Sequence, residues 1–275
     1  MSHPFRYATL TLLTIATLAA ANIATAATGS FRETLDVDSP LELEVTTGSG
    51  SITIREGAVG RAEIVGEIRV FEGSFFFGRG GEDAEEIVRA LAADPPIELD
   101  GNRLRIGHIE DPDYRHNVSI SYEITVPADT AVQSHTGSGS QTVSGLTAPV
   151  TVGTGSGSIE LANIRGDVHA STGSGGIRAA GIAGAFTART GSGSAALEQT
   201  ASGAIDVTTG SGSVRLRLPE NAAFELDART GSGGITTDRP LTIRGRIERN
   251  EIRGSAGSGG PPIRVRTGSG SVRIE

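Results

Sequence analysis

The 275-residue chain has no cysteine, which excludes disulfides, thiolate metal sites and a lipoprotein anchor, since that anchor needs a cysteine after the leader. Aromatic residues make up only 4% of the chain, whereas glycine occurs 39 times, and this composition suits a thin core better than a thick globular one. All 24 basic residues are arginine against 32 acids, and the net charge of −8 argues against a nucleic-acid-binding protein, which needs a dense basic face.

The N-terminal segment, residues 1–26, is typical of a secretory signal peptide. Arg6 precedes an apolar run at residues 8–23, and the small-residue pattern ATA follows at 24–26. This order of basic, apolar and small residues predicts cleavage at the end of the segment. The run is short for a membrane-spanning helix, although a retained N-terminal anchor stays an alternative. We therefore expect export to the periplasm, the cell surface or the extracellular space.

Residues 27–135 are expected to form the N-terminal part of the domain. Within 41–57 (LELEVTTGSGSITIREG) and 61–72 (RAEIVGEIRVFE), apolar and polar residues alternate, which predicts half-buried strands. Acids dominate this part: residues 27–130 hold 21 acids against 9 arginines, whereas residues 201–275 hold 11 arginines against 8 acids. We interpret the acidic front as solvated surface.

An insert at about residues 74–95 interrupts the strand pattern. Its second half predicts an amphipathic helix over 82–93, because four apolar residues recur at helical spacing: Ala84, Ile87, Val88 and Leu91. The prolines at 95 and 96 end this helix. The end of a stack of coils exposes unpaired strand edges, so we expect the insert to cap that end.

Three consecutive aromatic residues, Phe75, Phe76 and Phe77, lie in the same insert. Packed over the end of the stack, they would be a hydrophobic plug. Exposed between Gly73 and Gly78, they would form a patch that contacts a partner or a membrane. We therefore predict Phe75, Phe76 and Phe77 as the candidate contact with a partner.

Residues 136–275 contain a repeat. The pentapeptide TGSGS or TGSGG begins at the evenly spaced threonines 136, 154, 172 and 190, and again at 209, 230 and 267. Apolar residues keep the same register, as at Ile159, Ile177 and Ala195. Each block alternates with period two on both sides of the pentapeptide and is too small to bury its own apolar face, so blocks must stack. This pattern predicts an all-β, single-chain β-solenoid (β-helix) with roughly 18-residue coils.

The pentapeptide is expected to be a structural corner. Glycine allows the positive φ angles that a tight turn needs, and the serine and threonine hydroxyls can bond to neighbouring turns. The leading threonines are expected to form a ladder. The predicted structural turn residues are Gly137, Gly139, Gly155, Gly157, Gly173, Gly175, Gly191, Gly193, Gly210, Gly212, Gly231, Gly233, Gly268 and Gly270.

The same motif does not match known ligand loops. A calcium β-roll would need an aspartate where Ile159 stands, and a nucleotide loop would need a lysine. The GxSxG elbow of serine hydrolases does not occur. Residues 108–116 (HIEDPDYRH) are interpreted as an acidic loop, with a surface metal site as the alternative. We predict no catalytic residue, no metal site and no cofactor.

The chain ends on a repeat strand at residues 271–275, which has no obvious cover beyond the charges of Arg273 and Glu275. We expect this strand to present an open edge. Such an edge could support docking or self-association.

Residues 117–130 (NVSISYEITVPADT), followed by TGSGS, resemble the signature of the DUF4097 family, a group of bacterial proteins that are candidate adhesins. The helix and strands at 85–107 and the repeated TGSG blocks are similar to that family as well. The resemblance implies an exported, adhesin-like β-solenoid. It implies no catalytic residues, because the family has none to carry over.

The sequence therefore predicts an exported, non-enzymatic β-solenoid that is adhesin-like or has a binding or structural role in the cell envelope. The expected partner is a protein or glycan of the envelope, and neither nucleic acid nor a small-molecule cofactor is expected. Two alternatives stay open. One is a module associated with envelope stress that binds a protein partner through the acidic front; the other is a carbohydrate-active enzyme built on a β-helix.

Overall fold

The computed structural model describes residues 26–70, 84–109, 118–243 and 248–275. The N-terminal part comprises β1 (Ala27–Asp36), β2 (Glu42–Ser49), β3 (Ile52–Glu56), β4 (Arg61–Val70), α1 (Ala84–Ala93), β5 (Ile97–Asp100), β6 (Arg103–Ile106) and β7 (Val118–Val126). The regular repeats comprise β8 (Ala131–Ser138), β9 (Gln141–Ser144), β10 (Val150–Ser156), β11 (Ile159–Ala162), β12 (Val168–Ser174), β13 (Ile177–Ile182), β14 (Phe186–Ser192), β15 (Ala195–Gln199), β16 (Ile205–Ser211) and β17 (Val214–Arg217). The C-terminal part comprises β18 (Phe224–Ser232), β19 (Ile235–Thr237), β20 (Thr242–Ile243), β21 (Glu251–Ala256), β22 (Pro262–Ser269) and β23 (Val272–Ile274).

These strands form two sheets that face each other across a thin core. Sheet 1 has 11 strands in the order β1-β4-β7-β3-β9-β11-β13-β15-β17-β23-β19. Sheet 2 has 12 strands in the order β20-β21-β18-β22-β16-β14-β12-β10-β8-β2-β6-β5. Each coil gives one strand to each sheet, so the predicted all-β solenoid is confirmed.

The coils stack in parallel, with equivalent residues side by side. Val150 on β10 pairs with Val132 on β8 and with Val168 on β12, each exactly one repeat away along the chain. In sheet 1, Ile159 pairs with Ile177 in the same way. Inward side chains of both sheets are buried and alternate with outward polar ones, which is the period-two pattern of a half-buried strand.

The corners touch through their backbones, as the repeat around Gly157 illustrates. Gly157 has a φ of 153°, and a Cβ atom there would lie 2.1 Å from the carbonyl oxygen of Gly139 in the preceding coil. The first glycine of the same corner, Gly155, is also confined, because its Cβ would lie 2.6 Å from the carbonyl oxygen of Gly137. A side chain at either position would push the coils apart.

The leading threonines bind each corner to the one before it. Thr172 is buried, and its Oγ1 donates a hydrogen bond of 3.0 Å to the carbonyl oxygen of Gly157. We call the series of such bonds the threonine ladder. In spatial order its donors are Thr136, Thr154, Thr172, Thr190, Thr209, Thr267 and Thr230.

The last coil of the chain is not the last coil of the stack. β22 lies between β16 and β18, and β23 lies between β17 and β19. The ladder follows this order, since Thr267 donates to Gly212 and Thr230 donates to Gly270. The expectation that the C-terminal strand presents an open edge is therefore wrong. The pentapeptide corners share one shape, so the last coil fits between two earlier ones. At this end of the stack the outermost strands of the two sheets are β19 and β20.

The opposite end of the stack is capped by antiparallel strands and the helix. β4 pairs antiparallel with β7 and β1 with β4, while α1 packs against both β1 and β4. Val88 of the helix is buried so close to Gly29 that a Cβ on this glycine would lie 2.4 Å from Val88 Cγ1. The predicted capping helix is thus confirmed. None of the described helical residues makes a segment long and apolar enough to cross a membrane.

The substitution Gly157→Ala is expected to lower the free energy of unfolding by about 2 kcal/mol or more, because of the strained φ and the contact with the preceding corner. Gly176→Ala is the matched control, since a Cβ there lies 3.5 Å from its nearest neighbour, the carbonyl oxygen of Ser194. Urea unfolding of both variants checks this. Equal stability of the two would contradict the backbone contact between corners.

The substitution Thr172→Val keeps the shape of the side chain but removes the donor to the Gly157 carbonyl. A lost hydrogen bond at a buried position costs about 1 kcal/mol, so we expect a loss of that size in the free energy of unfolding. The neighbouring Ser171 is exposed, and Ser171→Ala should leave the stability unchanged. If the two variants lost equal stability, the threonine ladder would not be what holds the corners together.

Candidate functional site

The structure reaches only some of the residues singled out above. Phe75, Phe76 and Phe77 lie outside the described residues, and their role as a partner contact stays a prediction. Of the acidic loop at 108–116, only His108 and Ile109 are described. Within the described ranges, no group of three or more histidine or acidic side chains is placed to hold a metal ion.

One corner of the solenoid differs from the others. β6 and β7 form a coil whose connection, residues 107–117, does not contain the pentapeptide. Thr47, which opens the pentapeptide next to this connection, therefore donates to the carbonyl oxygen of Ile120 at 3.0 Å and not to a glycine. The Ser119 hydroxyl donates to the carbonyl oxygen of Ser49 at 2.7 Å, in the place of a corner amide.

A cavity of about 560 Å³ lies at this corner, and we call it the corner pocket. Val118, Ile120 and Ile109 give it apolar walls, while the imidazoles of His108 and His135 are exposed at its surface. Its described lining contains no arginine, aspartate or glutamate. Among the described residues, the polar groups that it offers are thus imidazole, hydroxyl and backbone groups.

The most unusual of these groups is the hydroxyl of Tyr122. The side chain is 1% exposed, its ring packs edge-on against Phe31 with centroids 6.4 Å apart, and its hydroxyl has no hydrogen-bond partner within the described part of the chain. The hydroxyl lies beside the lining residue Gly107, whose Cβ, if present, would be 3.1 Å away. Burial raises the pKa of the Tyr122 phenol, so the group is a neutral donor or acceptor.

The outer faces of the sheets form the second candidate region, and they differ in how their arginines are paired. On the C-terminal coils of sheet 1, every arginine of β13, β17 and β23 has an acidic partner within 4 Å. The pairs are Arg178–Glu160, Arg215–Glu275, Arg217–Glu198 and Arg273–Asp238.

Sheet 2 is different. At its N-terminal end Arg103 lies 2.7 Å from Glu42, and at its C-terminal end Arg229 and Arg253 pair with Asp227 and Glu251. Three exposed arginines between these clusters have no ion pair with any described residue: Arg189, Arg264 and Arg266.

The sequence did not reveal this group, because Arg266 lies near Arg189 only when the last coil of the chain is inserted next to β16. Thr208 and Arg266 are far apart in the chain but directly paired in sheet 2. A signal was present in the sequence. Residues 209–214 and 267–272 both read TGSGSV, whereas 230–235 reads TGSGGI, so the first two corners are the better match.

The substitution Tyr122→Phe is expected to keep or raise stability at neutral pH, because it removes a buried hydroxyl that has no partner among the described residues and whose desolvation costs about 1–3 kcal/mol. Above pH 10 the unfolded phenol loses its proton while the folded one keeps it, so the wild-type protein should lose up to about 1.4 kcal/mol per pH unit. The variant should lack that part of the decline. Urea unfolding at pH 7 and pH 11 tests both points, with Tyr122→Leu as the control that loses packing. A variant markedly less stable at pH 7 would show that the hydroxyl has a partner.

The chain is similar to a candidate cell adhesion protein from Clostridium sporogenes, at 13% identity and a TM-score of 0.39 over 90% of this chain and 99% of that one. It is similar to a candidate adhesin from Bacteroides fragilis, at 14% identity and a TM-score of 0.39, with 90% of this chain and 97% of that one covered. It is also similar to a candidate lipid-binding protein from Parabacteroides distasonis, at 12% identity and a TM-score of 0.40, with 90% of this chain and 96% of that one covered. No curated protein matches the chain. The family model described as Toastrack DUF4097 matches residues 115–275, and the chain therefore belongs to the DUF4097 (Toastrack) family.

Proposed function

We propose that the protein is an exported, non-enzymatic, adhesin-like binding protein that presents the outer faces of its β-solenoid to an extended partner at the cell envelope. The observation that carries this proposal is the register of sheet 2. Outward residues of successive coils stand directly opposite one another, as Thr151, His169 and Thr187 do on β10, β12 and β14.

The register makes each outer face a regular array of side chains. Parallel strands lie about 4.8 Å apart, so a chain molecule lying along the rod meets a new side chain at each such step. The threonine ladder and the glycine contacts hold the backbone in place beneath this array. A surface that is already ordered loses little conformational entropy on binding, which favours affinity.

Export is proposed from the leader-like residues 1–26, whose order of basic, apolar and small residues is that of a signal peptide. The partner is proposed to be a glycan or a protein of the envelope. A polymer with a short repeat suits the array better than a compact protein does, because its groups recur along one direction.

Binding assays on defined glycans and purified envelope polymers test the proposal, using the protein purified after export from cells that express the full chain. We expect at least one polymer to bind, and the double variant His169→Ala/Thr187→Ala on sheet 2 to weaken it about tenfold, or about 1.4 kcal/mol. The matched control on sheet 1, Glu160→Ala/Arg178→Ala, should change the affinity little. Absence of binding to every polymer would contradict the proposal, and new reducing ends on a bound polymer would favour the enzyme alternative.

The same assay includes the replacement of Phe75, Phe76 and Phe77 by serine. A contact through these residues predicts loss of binding in this variant, and unchanged binding would remove them as a partner contact. Fractionation of the producing cells tests export, because recovery in the cytoplasm at full length would contradict it.

A further inference from the structure

Two exposed arginines on sheet 2 stand in one row across the strands. Arg189 on β14 pairs with Thr208 on β16, which pairs in turn with Arg266 on β22. On the other side of Arg189, its partner is Ser171 on β12. We call these four residues the basic row.

The spacing of the row follows from the sheet. Adjacent strands are about 4.8 Å apart, so the two arginines are about 10 Å apart with one hydroxyl between them. Both side chains are exposed, and neither has an ion pair with a described residue. No described acid therefore competes with an outside anion for their guanidinium groups.

The surroundings of Arg189 favour such an anion. A shallow depression of about 390 Å³ is lined by Arg189 together with Ser171, Thr208 and the corner glycines Gly173 and Gly191. Ser171 and Thr208 are the register partners of Arg189 on the two adjacent strands, so each brings a hydroxyl one strand away. An oxyanion on Arg189 could therefore accept from the guanidinium and from a hydroxyl together.

The charge balance at the row is positive. The three adjacent strands β14, β16 and β22 carry Arg189, Arg264 and Arg266 against one acid, Asp206, which leaves a net charge of +2. The next strand, β18, carries two acids against one arginine, and its Asp227 is held by the arginines of β18 and β21. The positive charge is therefore concentrated on the strands of the row.

The acids of the N-terminal end do not cancel this charge. β2, which carries Glu42 and Glu44, is four strands from β14 in sheet 2. Four strand spacings are about 19 Å, and charges at that distance are largely screened at a Debye length of about 8 Å. An anion that approaches the row thus meets an attractive local field.

We propose that the basic row binds an acidic polysaccharide, with one carboxylate on Arg189 and a second on Arg266. This inference rests on the proposed function and names the ligand class for sheet 2. A sugar unit is about as long as one strand spacing, so a polymer with a carboxylate on every second sugar matches the two arginines. Sugar hydroxyls of the intervening unit then meet Thr208, and those of the preceding unit meet Ser171.

Other polyanions fit the row less well. A nucleic acid strand carries a charge about every 3.4 Å and requires a denser basic face than two arginines. Anionic membranes attract clusters of four or more basic residues, with apolar side chains that enter the lipid. The neighbours of the row are polar or charged, and they include His169, Thr187, Asp206, Arg264 and Arg229.

Hyaluronan oligosaccharides, which carry a carboxylate on every second sugar, are the probe, and neutral dextran of equal length is the reference. With the protein purified after export, we expect hyaluronan to bind, dextran not to bind, and the hyaluronan affinity to fall as salt rises. Arg189→Ala/Arg266→Ala should weaken hyaluronan binding at least tenfold, and Arg189→Lys should weaken it less than Arg189→Ala because a charge remains. The matched control is Arg178→Ala/Arg215→Ala, which removes two paired arginines of sheet 1 and should have little effect.

Several outcomes would overturn the inference. One is an Arg189→Ala/Arg266→Ala variant that unfolds at the wild-type urea concentration yet binds hyaluronan unchanged, and another is an equal loss in the sheet 1 control. Tighter binding of duplex DNA or of phosphatidylglycerol vesicles through the same arginines would assign the row to a different partner. If hyaluronan fails while a neutral glycan binds in the glycan assay, this inference falls and the proposed function stands. If nothing binds in either assay, both fall.

Discussion

The contact between successive corners is the constraint on which the rest of the structure depends. Each corner places a glycine carbonyl where the next threonine must donate to it, and it leaves no room for a Cβ between the two backbones. Insertions that lengthen a coil can therefore be accommodated only outside the corner. The coil from Thr190 to Thr209 is one residue longer than the coil before it, yet these two threonines still pair. A register irregularity falls between Ala180 and Ile182 in the other sheet.

Because the pentapeptide corners are equivalent, the order of coils in the stack is not tied to their order in the chain. The corner at Thr267 fits on Gly212, and the corner at Thr230 fits on Gly270. The last strands of the chain are thereby enclosed, and β21 covers the outer side of β18 in antiparallel direction. At the other end β4 and β1 do the same for β7. Antiparallel strands with their own twist and charges protect a stack of parallel strands from pairing with further copies.

The sequence was sufficient for whatever is encoded within one repeat. Each regular coil repeats the corner, the strand alternation and an inward residue at the position of Ile159 and Ile177. All three are local signals. It was insufficient where distant segments meet. Gln141 occupies the position of Ile159 in its coil and is tolerated there because Ser134 and the Gly153 carbonyl bond to it across the core. The corner pocket is lined by four separate segments, 46–49, 107–109, 118–122 and 135–137, and no repeat describes it.

Both candidate sites lie where the repeat could place a stabilising partner but the sequence does not supply one among the described residues. Register gives every outward residue two fixed neighbours, so a single acid at the position of Thr208 would stand beside both Arg189 and Arg266. Sheet 1 shows that the same coils accommodate such pairing. A phenylalanine at Tyr122 would likewise fill the same space without a buried hydroxyl that lacks a partner in the described part of the chain. In a fold where each local choice agrees with the whole, the few positions that break the local rule are the places to test for function.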